Sequence, residues 1–220
     1  MPETIAILSD THLTTKFDER KLNYLKSLFL KHDQIIINGD FWSYYSCTFD
    51  EFLKSKWSRL FPVMKDKTIY IYGNHDREKW CDERVGEFCK SAADSYILSM
   101  ENTKLIVMHG HKIATDSVQN EPYLKIQRFL DIDKYNYFIQ EKIVKHVGLG
   151  FYTKLGQRIN SKQKSYAKGL EDKETLVAAH SHTPEFSPKD KYINTGFINY
   201  GFSSYLKIFE GNMTLATETY

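Results

Sequence analysis

Cysteine is scarce: the chain has three in 220 residues, Cys47, Cys81 and Cys89. The number is odd and no pair has C-x-x-C spacing, so neither a disulfide framework nor a thiolate metal cluster is expected. A reducing compartment fits, and Cys81 and Cys89 are read as core residues. Long apolar runs are missing too. The longest cover a few residues, far short of the roughly 20 that a membrane-crossing helix needs. Met1-Pro2-Glu3 has neither the basic nor the apolar stretch of a secretory signal. The expected location is the cytoplasm. No internal repeat and no low-complexity tract is found. The net charge is only +2, too small for the whole molecule to bind nucleic acid by charge alone. An apolar fraction of 41% and a charged fraction of 26% describe an ordinary soluble chain, long enough for one domain over 1–220 with a core of its own.

The charge is nevertheless uneven. Between Lys112 and Leu170 eleven Lys and Arg face five Asp and Glu, which leaves the remainder acidic. Ahead of that segment, short apolar runs alternate with helical patterns. Strands are expected at Thr4–Leu8, Gln34–Ile37, Thr68–Tyr72, Tyr96–Leu98 and Leu105–Met108. Helices are expected at Asp18–Lys31, Phe49–Leu60 and Lys79–Lys90. The basic stretch from Pro122 to Lys168 reads mainly as helix, with Tyr123, Ile126, Phe129 and Leu130 on one face. Strands return at Thr175–Ala179, Tyr192–Ile193, Ser204–Phe209 and Met213–Thr217, separated by Gly196, Gly201 and Gly211. The expected fold class is layered α/β: an α/β/β/α sandwich of two mixed β-sheets flanked by helices, with a helical cap inserted at about 112–170.

Where the strands stop carries the chemistry. The runs end in Asp10-Thr11-His12, Gly39-Asp40, Asn74-His75-Asp76, His109-Gly110-His111 and His180-Ser181-His182. Open α/β sheets place their sites beyond the carboxyl ends of strands, so five segments deliver candidate ligands to one rim. Carboxylate, amide and imidazole donors without thiolate suit Mn²⁺, Fe or Zn²⁺. Asp10, His12, Asp40, Asn74, His109, His180 and His182 are too many for one tetrahedral ion and natural for two ions about 3.5–4 Å apart. Each motif alone has a plainer reading: Asp10 and His12 as a helix cap, His75 as a surface histidine, His180 and His182 as a hydrogen-bonded pair.

The ordered set Asp-x-His, Gly-Asp, Gly-Asn-His-Asp, a lone His and His-x-His, spanning residues 10–182, resembles the calcineurin-like metallophosphoesterases. The resemblance implies that Asp10, His12 and His182 bind one metal and Asn74, His109 and His180 a second, with Asp40 bridging. It implies that two divalent ions, Mn²⁺ first and Fe or Zn²⁺ otherwise, activate water against phosphorus. The resemblance further implies that His75 is the catalytic group at the leaving oxygen and that Asp76 acts with it by holding its ring. Two departures stand out. The family's Gly-Asp-x-x-Asp has Ser43 at its last position here, and Ala179 replaces the usual Gly before His180. Gly39-Asp40-Phe41-Trp42, His109-Gly110-His111 and Asn194-Thr195-Gly196 are similar to the UDP-2,3-diacylglucosamine hydrolase-like branch.

Asn74, His111 and Trp42 are candidate substrate contacts; for His111 a structural hydrogen bond, and for Trp42 core packing, remain open. His32 and His146 fall near helix C-termini, where a cation complements the dipole. The expected substrate is a phosphorylated small molecule or a UDP-sugar lipid, with Tyr123, Phe129, Phe138 and Phe151 available to line an acyl cleft. Peripheral membrane contact through the basic aromatic cap is a further expectation. The alternatives are a nuclease or general phosphodiesterase using the basic cap on nucleic acid, and a non-catalytic scaffold that keeps the fold.

Overall fold

A computed structural model describes residues 4–114, 125–126, 128–130, 132–154 and 156–220, without the side chains of 133 and 134. The sandwich is present. The first sheet runs β10-β11-β1-β2-β3-β4, with β12 pairing β11 off that path. Its strands are β1 (Thr4–Leu8), β2 (Gln34–Asn38), β3 (Thr68–Ile71), β4 (Ser91–Ala93), β10 (Ile198–Asn199), β11 (Phe202–Phe209) and β12 (Asn212–Thr219). The second sheet runs β5-β6-β7-β9-β8, from β5 (Tyr96–Ser99), β6 (Lys104–Val107), β7 (Glu174–Ala178), β8 (Glu185–Ser187) and β9 (Tyr192–Asn194). Both sheets are mixed. β1 to β4 are parallel, as are β6, β7 and β9, while β11, β5 and β8 join antiparallel.

Period-two burial makes the layers. Ile5 and Ile7 of β1, Ile36 of β2 and Ile69 and Ile71 of β3 face Leu105, Val107, Val177 and Ile193 of the second sheet. Ala6, Leu8, Ile35 and Ile37 point the other way, so these strands are apolar on both faces, as buried parallel strands are. Their outer face is covered by helix α1 (Glu19–Leu30), which buries Leu22, Leu25, Leu28 and Phe29 at helical spacing. Asp18 starts α1 by accepting from the N–H groups of Arg20 and Lys21. A dense aromatic cluster of Phe41, Trp42, Phe49, Phe52, Phe61 and Phe88 completes this layer.

Several expected elements differ. Helix Phe49–Leu60 breaks in two: α2 (Phe49–Leu53), opened by a Thr48/Glu51 capping box, stops where Ser55 caps a separate 3-10 turn at Lys56–Leu60. A short helix α3 (Phe61–Met64) follows, with Pro62 in its first turn. The expected helix Lys79–Lys90 is two 3-10 turns, Glu78–Trp80 and Glu83–Glu87, because Asp82 accepts from the Arg84 N–H and starts afresh. Strands β4, β8 and β10, of three, three and two residues, escape periodicity analysis because so few residues cannot display a period.

In the basic segment, α4 (His111–Ala114) is followed by α5 (Ile132–Lys142), a π turn at Ile143–Val147, α6 (Leu149–Lys154) and α7 (Gln157–Ala167). Gly148, at φ +103°, ends the π turn. Tyr123, one of the residues expected on the cap's apolar face, lies outside the described residues. The other three, Ile126, Phe129 and Leu130, are solvent-exposed. Helix α7 packs on the outer face of the second sheet, where Ala167 meets Leu176, Ala178 and Tyr192. Among the described residues no helix is long and apolar enough to cross a membrane.

Candidate metal centre

The loops after β1 and β2 are zipped together. Asp10 N–H donates to Gly39 O, His12 N–H to Asp40 O and Leu13 N–H to Phe41 O. Asp10 and Asp40 are thereby held side by side, almost fully buried. After β6 and β7, Ala179 N–H donates to His109 O, bringing both histidine-bearing ends to the same rim. Backbone strain concentrates here. Among the described residues eight non-glycine positions have positive φ, and five of them are Asp10, His12, Asp40, His180 and His182. Such conformations cost roughly 1–3 kcal/mol each and persist where surrounding structure fixes them. Gly39 reaches φ +81°, and a Cβ there would strike the His109 ring.

Among the described residues three groups of potential ligands result, one of them, His12, Asp40 and His75, joining the other two. Asp10, His12 and His182 converge in one of those two, and Asp40, His109 and His180 in the other. In the first, Asp10 Oδ1 lies 3.2 Å from His182 Nε2 and 3.6 Å from His12 Nε2, and the two imidazole nitrogens are 3.1 Å apart. In the second, His109 Nε2 is 3.3 Å from Asp40 Oδ2 and 3.1 Å from Asn74 Oδ1. Donors placed around 2.1 Å from a tetrahedral ion are about 3.4 Å from one another, so these spacings fit a cation. Asp40 Oδ2 also lies 3.8 Å from His12 Nε2, which puts it between the clusters. The most telling atom is Asp10 Oδ1, buried without a hydrogen-bond partner. An orphaned carboxylate oxygen is costly to bury, and it faces the nitrogens that would share an ion with it.

Contacts behind the ligands fix their rings. His109 Nδ1 is 2.8 Å from Asn38 O, which holds its proton there and leaves Nε2 free to ligate. His182 Nδ1 is 2.7 Å from the Tyr152 hydroxyl, which in turn donates to Gln140 Oε1 at 3.2 Å. The His180-Ser181-His182 loop rests on buried amides. Gln163 and Asn194 donate to Ala179 O, and the Ser181 hydroxyl donates to Asn160. Sequence reading missed Asn160, Gln163 and Tyr152. Asn160 and Gln163 lie one helical turn apart on α7, a spacing that signals a buried polar face only once the facing strand is known. The Asn194-Thr195-Gly196 stretch belongs to the same clasp, since Thr195 N–H donates to Ala178 O.

Electrostatics follow from burial. The surrounding histidines hold the Asp10 and Asp40 carboxyls below the usual range even though burial pushes them up. His109, although burial opposes it, is raised to about 10 by Asp40 and Asp10. His75 is lowered to about 3, chiefly by burial, with Asp40 opposing. His180 is lowered to about 4 by burial and His109.

The expectation that Asp76 holds His75 is corrected. Asp76 Oδ1 accepts from Gly73 N–H at 2.7 Å and Asp40 N–H at 3.0 Å, and Oδ2 accepts from Phe41 N–H at 2.7 Å. It shapes the backbone that carries Asp40. Its carboxyl is raised to about 6 by burial and by Asp40. His75 instead meets Ser43: Oγ is 3.1 Å from Nδ1, and the Tyr45 ring packs at 4.1 Å. Ser43 is the residue by which this chain departs from Gly-Asp-x-x-Asp, so the departure keeps a partner for His75.

Trp42 is also corrected as a substrate contact, being wholly buried and stacked on Phe52. His111 is buried against His109, and its Nδ1 has no hydrogen-bond partner, so the expected structural bond is not made through that atom. Burial and His109 lower it to about 3. His32 is not a dipole-complementing cation. Burial lowers its pKa, and Nδ1 lies 2.8 Å from Leu28 O, closing α1 as a neutral donor. His146 Nδ1 lies 3.1 Å from Lys142 O at the end of α5. Cys47, Cys81 and Cys89 are free thiols, and burial raises Cys89 to about 11. Lys21, unremarked in the sequence, is buried. Its Nζ donates to Thr11 O and Asn199 Oδ1, and burial lowers it to about 7.

Comparisons with known proteins found similar structures and a matching family. Among solved structures, a phosphoesterase from E. coli, Yfce, is similar at 14% identity over 98% of both chains, with a TM-score of 0.48. A predicted phosphoesterase from Streptococcus pneumoniae matches at 15% identity over 100% of this chain and 90% of its own, TM-score 0.44. Zinc-complexed Vps29 from Entamoeba histolytica matches at 12% over 98% of both chains, TM-score 0.45. Curated proteins give no match. The sequence model for the calcineurin-like phosphoesterases aligns with residues 3–204, which hold every candidate ligand. The chain belongs to the calcineurin-like phosphoesterase family, whose chemistry is metal-dependent hydrolysis of phosphoesters.

Proposed function

We propose that the protein hydrolyses a phosphate ester or pyrophosphate bond at a dinuclear centre. Asp10, His12 and His182 would hold one ion, Asn74, His109 and His180 the other, with Asp40 shared. The single observation that carries this is the pair of ligand clusters meeting at Asp40, beside a buried Asp10 oxygen with no other partner. The ions, Mn²⁺ first with Fe or Zn²⁺ as alternatives, would supply water activation and charge neutralisation at phosphorus.

The chain's own groups do the rest. With the Ser43 hydroxyl donating to Nδ1, the His75 proton sits on Nε2, where a neutral imidazole can hydrogen-bond the leaving oxygen. Asn74 offers its amide to the phosphoryl oxygens. Asp76 acts as a backbone anchor rather than as a proton carrier. Segment 112–170 divides by role, residues up to Lys154 serving as cap and α7 as support for the His180–His182 loop. Exposed Phe129, Phe138, Ile139 and Phe151 on a basic cap are assigned to peripheral contact with an anionic membrane from the cytoplasmic side.

The test is turnover of p-nitrophenyl phosphate and of bis(p-nitrophenyl) phosphate by Mn²⁺-loaded protein. Hydrolysis of either supports the reading, and none on any phosphate ester with metals bound favours a scaffold. Nucleic acid as substrate would show as a steep loss of binding with salt.

A further inference from the structure

We propose that the cavity beside His75 receives the alcohol part of the substrate, and that this part combines ring faces with hydrogen-bonding groups and is of nucleoside or sugar size, not an acyl chain. The inference rests on the phosphoester reading for which end of the ligand faces the ions. The cavity measures ≈ 510 Å³, within the roughly 300–1,000 Å³ of small-molecule sites. One end is formed by His12, His75 and His182, the face where a leaving group would emerge.

Further lining comes from the cap and from the end of β10. Asn136, Tyr137 and Gln140 lie on α5, facing Asn199 and Tyr200. Among the described lining residues Leu13 and Trp57 are largely apolar and the Tyr137 and Tyr200 rings add carbon faces, while the rest carry amides, hydroxyls, imidazoles and charges; the Trp57 indole N–H already donates to Thr14 O at 2.7 Å. An acyl chain here would strip water from amides and phenols and return no hydrogen bonds. Of the aromatic residues expected to line an acyl cleft, Tyr123 lies outside the described residues, and Phe129, Phe138 and Phe151 are 89%, 54% and 50% exposed and are not among the residues lining the cavity.

The polar wall is pre-ordered. Asn199 Oδ1 accepts from Lys21 Nζ and from the Tyr137 hydroxyl, each at 3.0 Å, and Gln140 Oε1 accepts from the Tyr200 hydroxyl at 2.6 Å. The Tyr137 and Tyr200 rings, 4.9 Å apart at 57°, offer planar faces, and Lys16 Nζ lies 4.9 Å from the Tyr137 centroid. Amides, phenols and ring faces together suit a sugar or a heterocycle rather than a hydrocarbon.

Calorimetric titration of Mn²⁺-loaded His75→Ala protein, expected to keep its ions and turn over slowly, with inorganic phosphate, adenosine monophosphate, glucose 6-phosphate and octyl phosphate tests this. The nucleotide or the sugar phosphate should bind at least about tenfold tighter than phosphate, the gain of two or so hydrogen bonds, and octyl phosphate should gain nothing. The nucleotide and sugar arms identify the source, and Asn136→Ala should narrow the gap. Octyl phosphate binding tightest, or all four binding alike, would overturn the proposal. Binding is read without turnover, so the expected order alongside p-nitrophenyl esters left intact by the native protein would sink the hydrolytic reading alone.

Discussion

At the scale of single residues, Asn74 and His75 are neighbours with separable tasks. Asn74 Oδ1 sits among the ligands, 3.1 Å from His109 Nε2, whereas His75 reaches the cavity beside them. Asn74→Ala should lower turnover and weaken metal binding. His75→Ala should lower turnover by about 10²–10⁴, the range for a lost proton donor, and leave metal binding intact by calorimetry. Full activity in His75→Ala would remove it from the mechanism. Ser43→Ala should reduce kcat by about three- to tenfold through the lost bond to His75, with Ser43→Thr restoring it.

Lys21 supplies a pH test. Its folded value is about 7, while an unfolded lysine titrates near 10.4. Between those values the unfolded chain holds the proton and the folded one does not. Stability should therefore rise with pH across that window, by at most about 1.4 kcal/mol per unit. Denaturant midpoints of Lys21→Met measured from pH 7 to 10 should lack that slope.

At the scale of elements, one tie between the cap and the candidate metal centre is the Tyr152 hydroxyl on α6, at His182 Nδ1. Partners of this kind are worth about 10–100-fold in metal affinity. Tyr152→Phe keeps the ring packed on Phe197, so it should weaken one of two ions and spare the other in a metal-binding isotherm. Equal loss of both ions, or of neither, would contradict the assignment.

The elements also show what a sequence can reveal. β1, β2 and β3 were legible because apolar runs end abruptly in Asp10, Asp40 and Asn74, and α1 because Leu22, Leu25 and Phe29 keep helical spacing. The candidate ligand set was legible for the same reason: each ligand follows a strand. The turns at Glu78–Glu87 were not, since their breaks depend on one Asp82 side-chain bond. Nor was the pairing of His75 with Ser43 rather than Asp76. Asp76 is the sequence neighbour of His75 and Ser43 lies 32 residues away, and only the three backbone N–H groups converging on Asp76 decide between them.

At the scale of the whole molecule, two sheets pack back to back and their strand ends meet at one rim, so ligands from residues 10 and 182 become neighbours. The cap adds a second surface. Ile126, Phe129, Leu130, Tyr135, Phe138, Ile139, Val147 and Phe151 are all more than half-exposed or close to it, an unusual concentration for a free surface. With Lys125, Arg128, Lys142 and Lys145 nearby in the chain, it is the surface proposed for contact with an anionic bilayer. The protein should co-sediment with phosphatidylglycerol vesicles, less so as salt rises, and not with neutral phosphatidylcholine vesicles. Equal binding to both would remove the electrostatic part of that assignment.

The account as a whole depends on a cation pair gathered around Asp40, and elemental analysis of Mn²⁺-replete protein measures it most directly. Two ions per chain are predicted for the native protein, and a loss of both for Asp40→Asn that still folds. Fewer than one ion in the native chain, or a full complement in Asp40→Asn, would contradict it.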